Sequence, residues 1–278
     1  MARLLGFIGN RPDLGARVVE QEGRALRVVR PPGVTPGWGI GFYQAGEILL
    51  KRRPIDDRDE ISFGELIRDL RADILLAHVR SATIGPLRTE NTHPFRYRQW
   101  LFAQTGTVEQ FPALRERLSE SLPQFLKRDV RGETDSEVLF HLFLSFLHDA
   151  GQLDRPTVDA ASARNALRSS VSLVDRLCAE EGSAPSAMNI LVSCPEYLLA
   201  VHGGNRMGYR VIHGRHDLER LFGDGGLGRM RIPDLANSRL SIVASDLEDD
   251  QIPSGWTNVA DRTMVTFTRT DEPELESV

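Results

Sequence analysis

A chain of 278 residues, 41% apolar and 26% charged, is long enough for one large core or two modest ones. The net charge of -5 comes with no basic block, which removes the electrostatic reason to expect a nucleic-acid partner. No apolar run approaches the roughly 20 residues that span a bilayer, and no charged-then-apolar leader with a cleavage site is present, so the expectation is a soluble cytoplasmic protein without a membrane partner.

In chain order, Leu4, Leu5, Phe7 and Ile8, broken only by Gly6, predict a buried strand that Asn10-Arg11-Pro12-Asp13 ends. Removal of Met1 would leave the α-amino group of Ala2 at the head of that strand, inside the fold. Residues 10–37 are rich in Gly, Pro and Arg and read as loops around the mouth of a site, with one strand at Leu26 to Val29. Trp38 to Tyr43 and Glu47 to Lys51, on either side of Ala45-Gly46, predict a hairpin. Ser62-Phe63-Gly64-Glu65 has the form of a capping box and predicts a helix over 63–71. Ile74 to Arg80 is a buried strand that ends in a charge, and Trp100 to Ala103 is another that ends at Gln104-Thr105-Gly106.

Helical periodicity over Phe111 to Arg128 is interrupted by Pro123. Thr134-Asp135-Ser136-Glu137 is a second capping box, and it opens a helix with Val138, Leu139, Leu142, Phe143, Phe146 and Leu147 inward, up to the Asp149-Ala150-Gly151 break. Leu167, Val171, Val174 and Cys178 mark a long helix over 158–181. Strands follow at Met188 to Ser193, Tyr197 to His202, Tyr209 to Ile212, Leu240 to Ser245 and Thr263 to Thr268, separated by turns such as Gly223 to Gly226. Strands, then helices, then strands give an α+β class with two antiparallel sheets and helices packed outside. The acidic residues 271–278 read as a frayed tail. Cys178 and Cys194 lack a Cys-x-x-Cys context and read as ordinary thiols, and neither His213-Gly214-Arg215-His216 nor the acids after Asp246 make a metal site. No cofactor is expected.

Attack on a glutamine amide needs a nucleophile, a base, donors for the developing oxyanion and charges that hold an amino acid's two ionic groups. Arg80 at a strand end, Asn91-Thr92-His93-Pro94-Phe95, Asp135 at a helix start and Gly106 after a buried strand occur here in one order behind the first strand. In that order the chain resembles the class II glutamine amidotransferases of the N-terminal-nucleophile hydrolase superfamily, above all the stand-alone amidotransferase-like members that begin Met-Cys-Arg-Leu-Leu-Gly. The resemblance implies a four-layer αββα sandwich in which a Gly-Trp-Gly-Ile element packs beside the first strand. It also implies that Arg80 pairs a substrate carboxylate, that Asp135 receives its ammonium, and that Asn91, Thr92 and His93 line the pocket. Ala244 to Asp250 with Trp256 resembles a signature near the end of the stand-alone members, which extends the likeness to a single domain over 1–278. Residues 1–150 carry the motifs, 151–270 complete the fold and 271–278 form the tail.

Three positions depart from the family pattern. Ala2 stands where the nucleophilic cysteine is expected and has no attacking atom. Gln104-Thr105-Gly106 replaces a His-Asn-Gly whose Asn side chain and Gly amide make the oxyanion hole; Thr105 offers a shorter donor, and loss of a well-placed donor costs about a hundred- to thousandfold in rate. Pro36 stands where an Asp is common. Ser81, Thr83 and Thr105 are nearby hydroxyls, but nothing in the spacing of His78 or His93 supplies a paired base. The sequence therefore predicts an inactive amidotransferase-like protein that keeps a site for glutamine or a γ-glutamyl compound, or acts on a partner protein. The alternative is a nucleophile-less form of an active amidotransferase or γ-glutamyl amide hydrolase, whose ammonia acceptor site another protein would supply.

Overall fold

A computed structural model describes residues 2–44, 46–81, 84–223, 234–247 and 254–278. The first half contains β1 (Arg3–Gly9), α1 (Gly15–Gln21), β2 (Arg27–Val29), β3 (Gly37–Gln44), β4 (Glu47–Arg53), β5 (Glu60–Ser62), α2 (Phe63–Ile67), β6 (Ile74–Arg80), β7 (Phe95–Tyr97), β8 (Trp100–Gly106), α3 (Phe111–Glu120) and α4 (Gln124–Lys127). The second contains α5 (Asp135–Asp149), α6 (Ala160–Glu180), β9 (Met188–Ser193), β10 (Tyr197–His202), β11 (Met207–His213), α7 (Gly214–Phe222), β12 (Arg239–Ser245), β13 (Thr257–Asn258), β14 (Thr263–Thr268) and β15 (Glu274–Ser277).

Two antiparallel sheets form the middle of the molecule, a seven-stranded one in the order β13-β11-β12-β1-β6-β3-β4 and a six-stranded one in the order β15-β14-β10-β9-β8-β7. Side-chain alternation divides the apolar residues among three layers. Leu4 and Ile8 of β1, Leu76 of β6, Leu101 of β8 and Leu198 of β10 fill the space between the sheets. Leu5 and Phe7 point the other way, onto Leu14, Val18, Phe63, Ile67 and Leu218 of the segments around α1, α2 and α7. Trp100 and Phe102 face the helices α3 to α6 through Leu114, Phe140, Phe143 and Leu167. The arrangement is the expected αββα sandwich, and because both faces of each sheet are covered, the central strands read as unbroken apolar runs.

Several local expectations are corrected. The 10–37 segment contains α1 and a 3-10 turn at Gly23–Leu26. β3, which carries Trp38, does not pack beside β1; β6 lies between them. Ser62 makes no side-chain cap and α2 stops at Ile67. At α5, Thr134 Oγ1 accepts from Glu137 N at 3.3 Å, but the Glu137 carboxylate does not reach back to the N-cap. It accepts instead from the amides of Arg131 (2.9 Å) and Gly132 (2.6 Å). The acidic tail is not frayed: β15 pairs with β14, with Ser277 opposite Thr263. Its acids find cations on α6, with Arg164 2.9 Å from Glu274 and Arg168 3.1 Å from Glu276. His213 and His216 lie at the start of α7, Gly223 caps that helix, and the rest of the predicted Gly223 to Gly226 turn is outside the described residues. Among the described residues no helix is long and apolar enough to cross a membrane.

Candidate active site

The start of β1 is pinned by its own side chains. Arg3 is buried and donates to the carbonyls of Ala25 (2.7 Å), Arg27 (2.6 Å) and Asp246 (2.8 Å). The Leu4 amide donates to Ser245 Oγ at 3.1 Å. These bonds hold Ala2 at one end of the sandwich, in the wall of a small pocket of about 80 Å³. Arg80, His93, Thr105, Gly106 and Asp135, drawn from β6, the loop before β7, β8 and the start of α5, line the same pocket.

Arg80 and Asp135 are buried ionic groups held from behind. The Arg80 guanidinium donates to the carbonyls of Ile84 (2.7 Å), Gly85 (3.1 Å) and Pro86 (3.1 Å). Among the described residues it has no carboxylate within 4 Å, and burial lowers its pKa while the charge of Asp135 partly opposes that. Asp135 accepts from the amides of Val108 (2.7 Å) and Ser136 (2.9 Å). Burial nonetheless raises its carboxyl above the ordinary value. A buried fork-shaped donor and a buried carboxylate in one small pocket suit the carboxylate and ammonium of an amino acid.

Thr105 is committed elsewhere. Its hydroxyl donates to Asp246 Oδ2 at 2.8 Å. Asp246 also accepts from Ser245 Oγ and, at Oδ1, from Asn205 Nδ2 at 2.9 Å. With its proton spent, the Thr105 oxygen turns only lone pairs to the pocket. Gly106 sits at φ +91°, and a Cβ there would stand 2.0 Å from the Ala187 carbonyl oxygen, so the close approach of β8 to β9 requires glycine.

The remaining wall is polar and unpaired. His78, His93 and Gln104 are buried, and none of their ring or carboxamide nitrogens and oxygens has a hydrogen-bond partner among the described residues. The two rings meet edge to face at 4.3 Å. Burial, then the Arg80 charge, pushes the His78 pKa down to about 3. Burial, then the charges of His78, Arg80 and Arg52, pushes His93 well below its ordinary value. Both imidazoles are neutral near pH 7, and neither has a partner that would make it a positioned base.

Asn91 and Thr92 do not line the pocket. Asn91 donates to the Pro86 carbonyl at 3.0 Å and accepts from the Glu133 amide at 2.8 Å, and Thr92 Oγ1 donates to the Arg88 carbonyl at 2.8 Å. They brace the loop whose carbonyls hold Arg80. Pro36 does not line the pocket, and its carbonyl accepts from the Asp56 amide at 2.7 Å. Ser81 lines the pocket with an unpartnered hydroxyl; Thr83 and the acids Glu248 to Asp250 are outside the described residues. Sequence reasoning missed Asp246 as the partner of Thr105, although Asp246 stands in the Ala244 to Asp250 stretch that resembles a family signature. Among the described residues no group of three or more His, Cys, Asp or Glu side chains could hold a metal ion.

Residues 1–276 match the sequence profile of the family described as glutamine amidotransferases class-II. The chain belongs to this family. Among curated relatives of this family member, a probable glutamine amidotransferase of Saccharomyces cerevisiae is 30% identical over 44% of this chain and 36% of its own length. An uncharacterized protein of Methanocaldococcus jannaschii is 29% identical over 71% of this chain and 49% of its own. A γ-glutamyl-hercynylcysteine sulfoxide hydrolase of Mycobacterium tuberculosis is 31% identical over 40% and 51%. The chain thus spans about half or less of the length of these relatives. Two solved structures share the fold. One is a class-II domain protein of Silicibacter pomeroyi, with TM-score 0.59, 17% identity, and 99% and 98% of the two chains covered. The other is a predicted glutamine amidotransferase of Pseudomonas aeruginosa, with TM-score 0.60, 20% identity, and 97% and 98% covered.

Proposed function

We propose that this member of the class II glutamine amidotransferase family binds the amino-acid end of glutamine or of a γ-glutamyl compound and does not cleave its amide. One observation carries the reading: the pocket keeps two buried, opposite ionic groups, Arg80 and Asp135, around a position 2 that offers only a methyl group. Arg80, fixed by three carbonyls, would pair the α-carboxylate. Asp135 would take the α-ammonium, whose charge offsets the burial that now raises its pKa. The side-chain amide would then lie toward Ala2, which has no attacking atom, and beside a Thr105 hydroxyl whose proton is held by Asp246 and not offered to an oxyanion. At about 80 Å³ the pocket is smaller than the roughly 300 Å³ or more of ordinary ligand sites, which favours an amino acid over a bulkier molecule.

Calorimetric titration with L-glutamine tests the reading. Saturable binding is expected, weakened by about 2 kcal/mol or more in Arg80→Ala, with no ammonia released. Absence of heat and of any melting shift, with Arg80→Ala behaving like the parent, would sink it. A second reading, an active hydrolase silenced only at position 2, takes support from the hydrolase named among the relatives. Ala2→Cys separates the two once mass spectrometry shows Met1 removed. Under the first reading it releases no ammonia from glutamine, because a second oxyanion donor is also missing; turnover in that single variant would favour the second.

A further inference from the structure

A larger cavity, of about 650 Å³, opens at the side of the sandwich where the edge strands β4 and β7 of the two sheets come together. Its volume lies within the range of small-molecule sites. Phe95, Tyr97 and Phe140 give it an aromatic wall, and four arginines, Arg52, Arg96, Arg98 and Arg131, stand around it with Glu90, Asp129 and Glu137.

The charges do not cancel pair by pair. Arg98 is taken by Asp154, Arg131 lies 3.8 Å from Asp129, and the Glu137 carboxylate is occupied by the amides of Arg131 and Gly132. Among the described residues Arg52 and Arg96 hydrogen-bond only to carbonyls and have no carboxylate within 4 Å, with Thr89 O at 3.4 Å for the first and Ile48 O at 3.0 Å for the second. Burial of Arg52 lowers its pKa, and the charges of Glu137 and Glu90 only partly oppose that.

His141 makes an independent second mark. It is only 3% exposed, and its Nδ1 lies 2.7 Å from the Glu137 carbonyl, which can only accept. In the neutral tautomer the proton is therefore on Nδ1, and Nε2, buried beneath the cavity wall, has no hydrogen-bond partner among the described residues. Asp129 Oδ2, another acceptor, is 3.6 Å from it, and a donor placed between the two would satisfy both.

We propose that this cavity is a second ligand site, separate from the pocket at Ala2, for an organic anion: a phosphate monoester or a carboxylate on an aromatic or apolar body. Arg52 and Arg96 pair the anion in fork geometry, and the aromatic wall takes the body.

Phenyl phosphate and benzoate are the probes, with phenol as the uncharged control, each titrated calorimetrically into the full chain. Saturable binding of at least one anion and none of phenol is expected. Arg52→Gln and the exposed Arg96→Gln should each weaken it about tenfold, while Arg80→Ala leaves it unchanged. A preference for phenyl phosphate assigns the site to phosphate esters, and one for benzoate to carboxylates. No saturable heat from either anion overturns the proposal, as does binding that Arg80→Ala abolishes and Arg96→Gln leaves intact. Because the probes contain no amino acid, failure here leaves the glutamine reading standing, and the converse also holds.

Discussion

His78, His93 and Gln104 hold the clearest trade between stability and use. A buried polar group without a partner costs about 1–3 kcal/mol, a penalty that apolar replacement of similar shape removes. Gln104→Leu should therefore raise the melting temperature of the ligand-free protein in scanning calorimetry and weaken glutamine binding in the same preparation. His78 adds a pH signature. Its folded pKa of about 3 lies below the ordinary histidine value of 6.5, so the unfolded chain binds the proton more strongly and stability falls as pH drops from 6.5 toward 3. His78→Phe should flatten part of that fall in a series of melts; an unchanged slope would mean the ring is charged or solvated in the fold. Arg80 and Asp135 were legible as candidates because each is a charge at the end of an apolar element. The bond from Thr105 to Asp246 was not, since it depends on the register that sets Ala244 opposite Leu5 in a pair of strands almost the whole chain apart.

Among the elements, β8 is the one through which packing controls chemistry, because its last three residues are pocket wall. Gly106→Ala would add a Cβ 2.0 Å from the Ala187 oxygen at a φ of +91°, and both the contact and the backbone oppose it. The variant should lose more than about 1 kcal/mol in urea unfolding and, if it folds, bind glutamine more weakly as β8 moves away from β9. The long strands and α5 and α6 could be read from the sequence because each is apolar at its own period over many residues. The short α1 could not: seven residues beginning with Gly15 and capped by no side chain leave little pattern against a loop background. β15 was hidden for another reason. Glu274 and Glu276 read as solvated acids until α6 brings Arg164 and Arg168 across more than a hundred residues to meet them.

At the scale of the molecule, β1 stands fourth of seven strands, with β12 on one side and β6 on the other, while β4 and β13 close the sheet at its rims. Amide exchange should follow that order, with β1 and β6 among the slowest and β4, β13 and β15 among the fastest. Early exchange in β1 would contradict the arrangement. The sandwich as a class was predictable from the succession of strands, helices and strands, but this strand order was not, because pairing across the chain leaves no local trace. The central place of β1 also has a consequence for biosynthesis. β1 pairs on one side with residues near 75 and on the other with residues near 242, so its second edge is covered only after the strands far along the chain have been translated. Until then an open apolar edge invites mispairing.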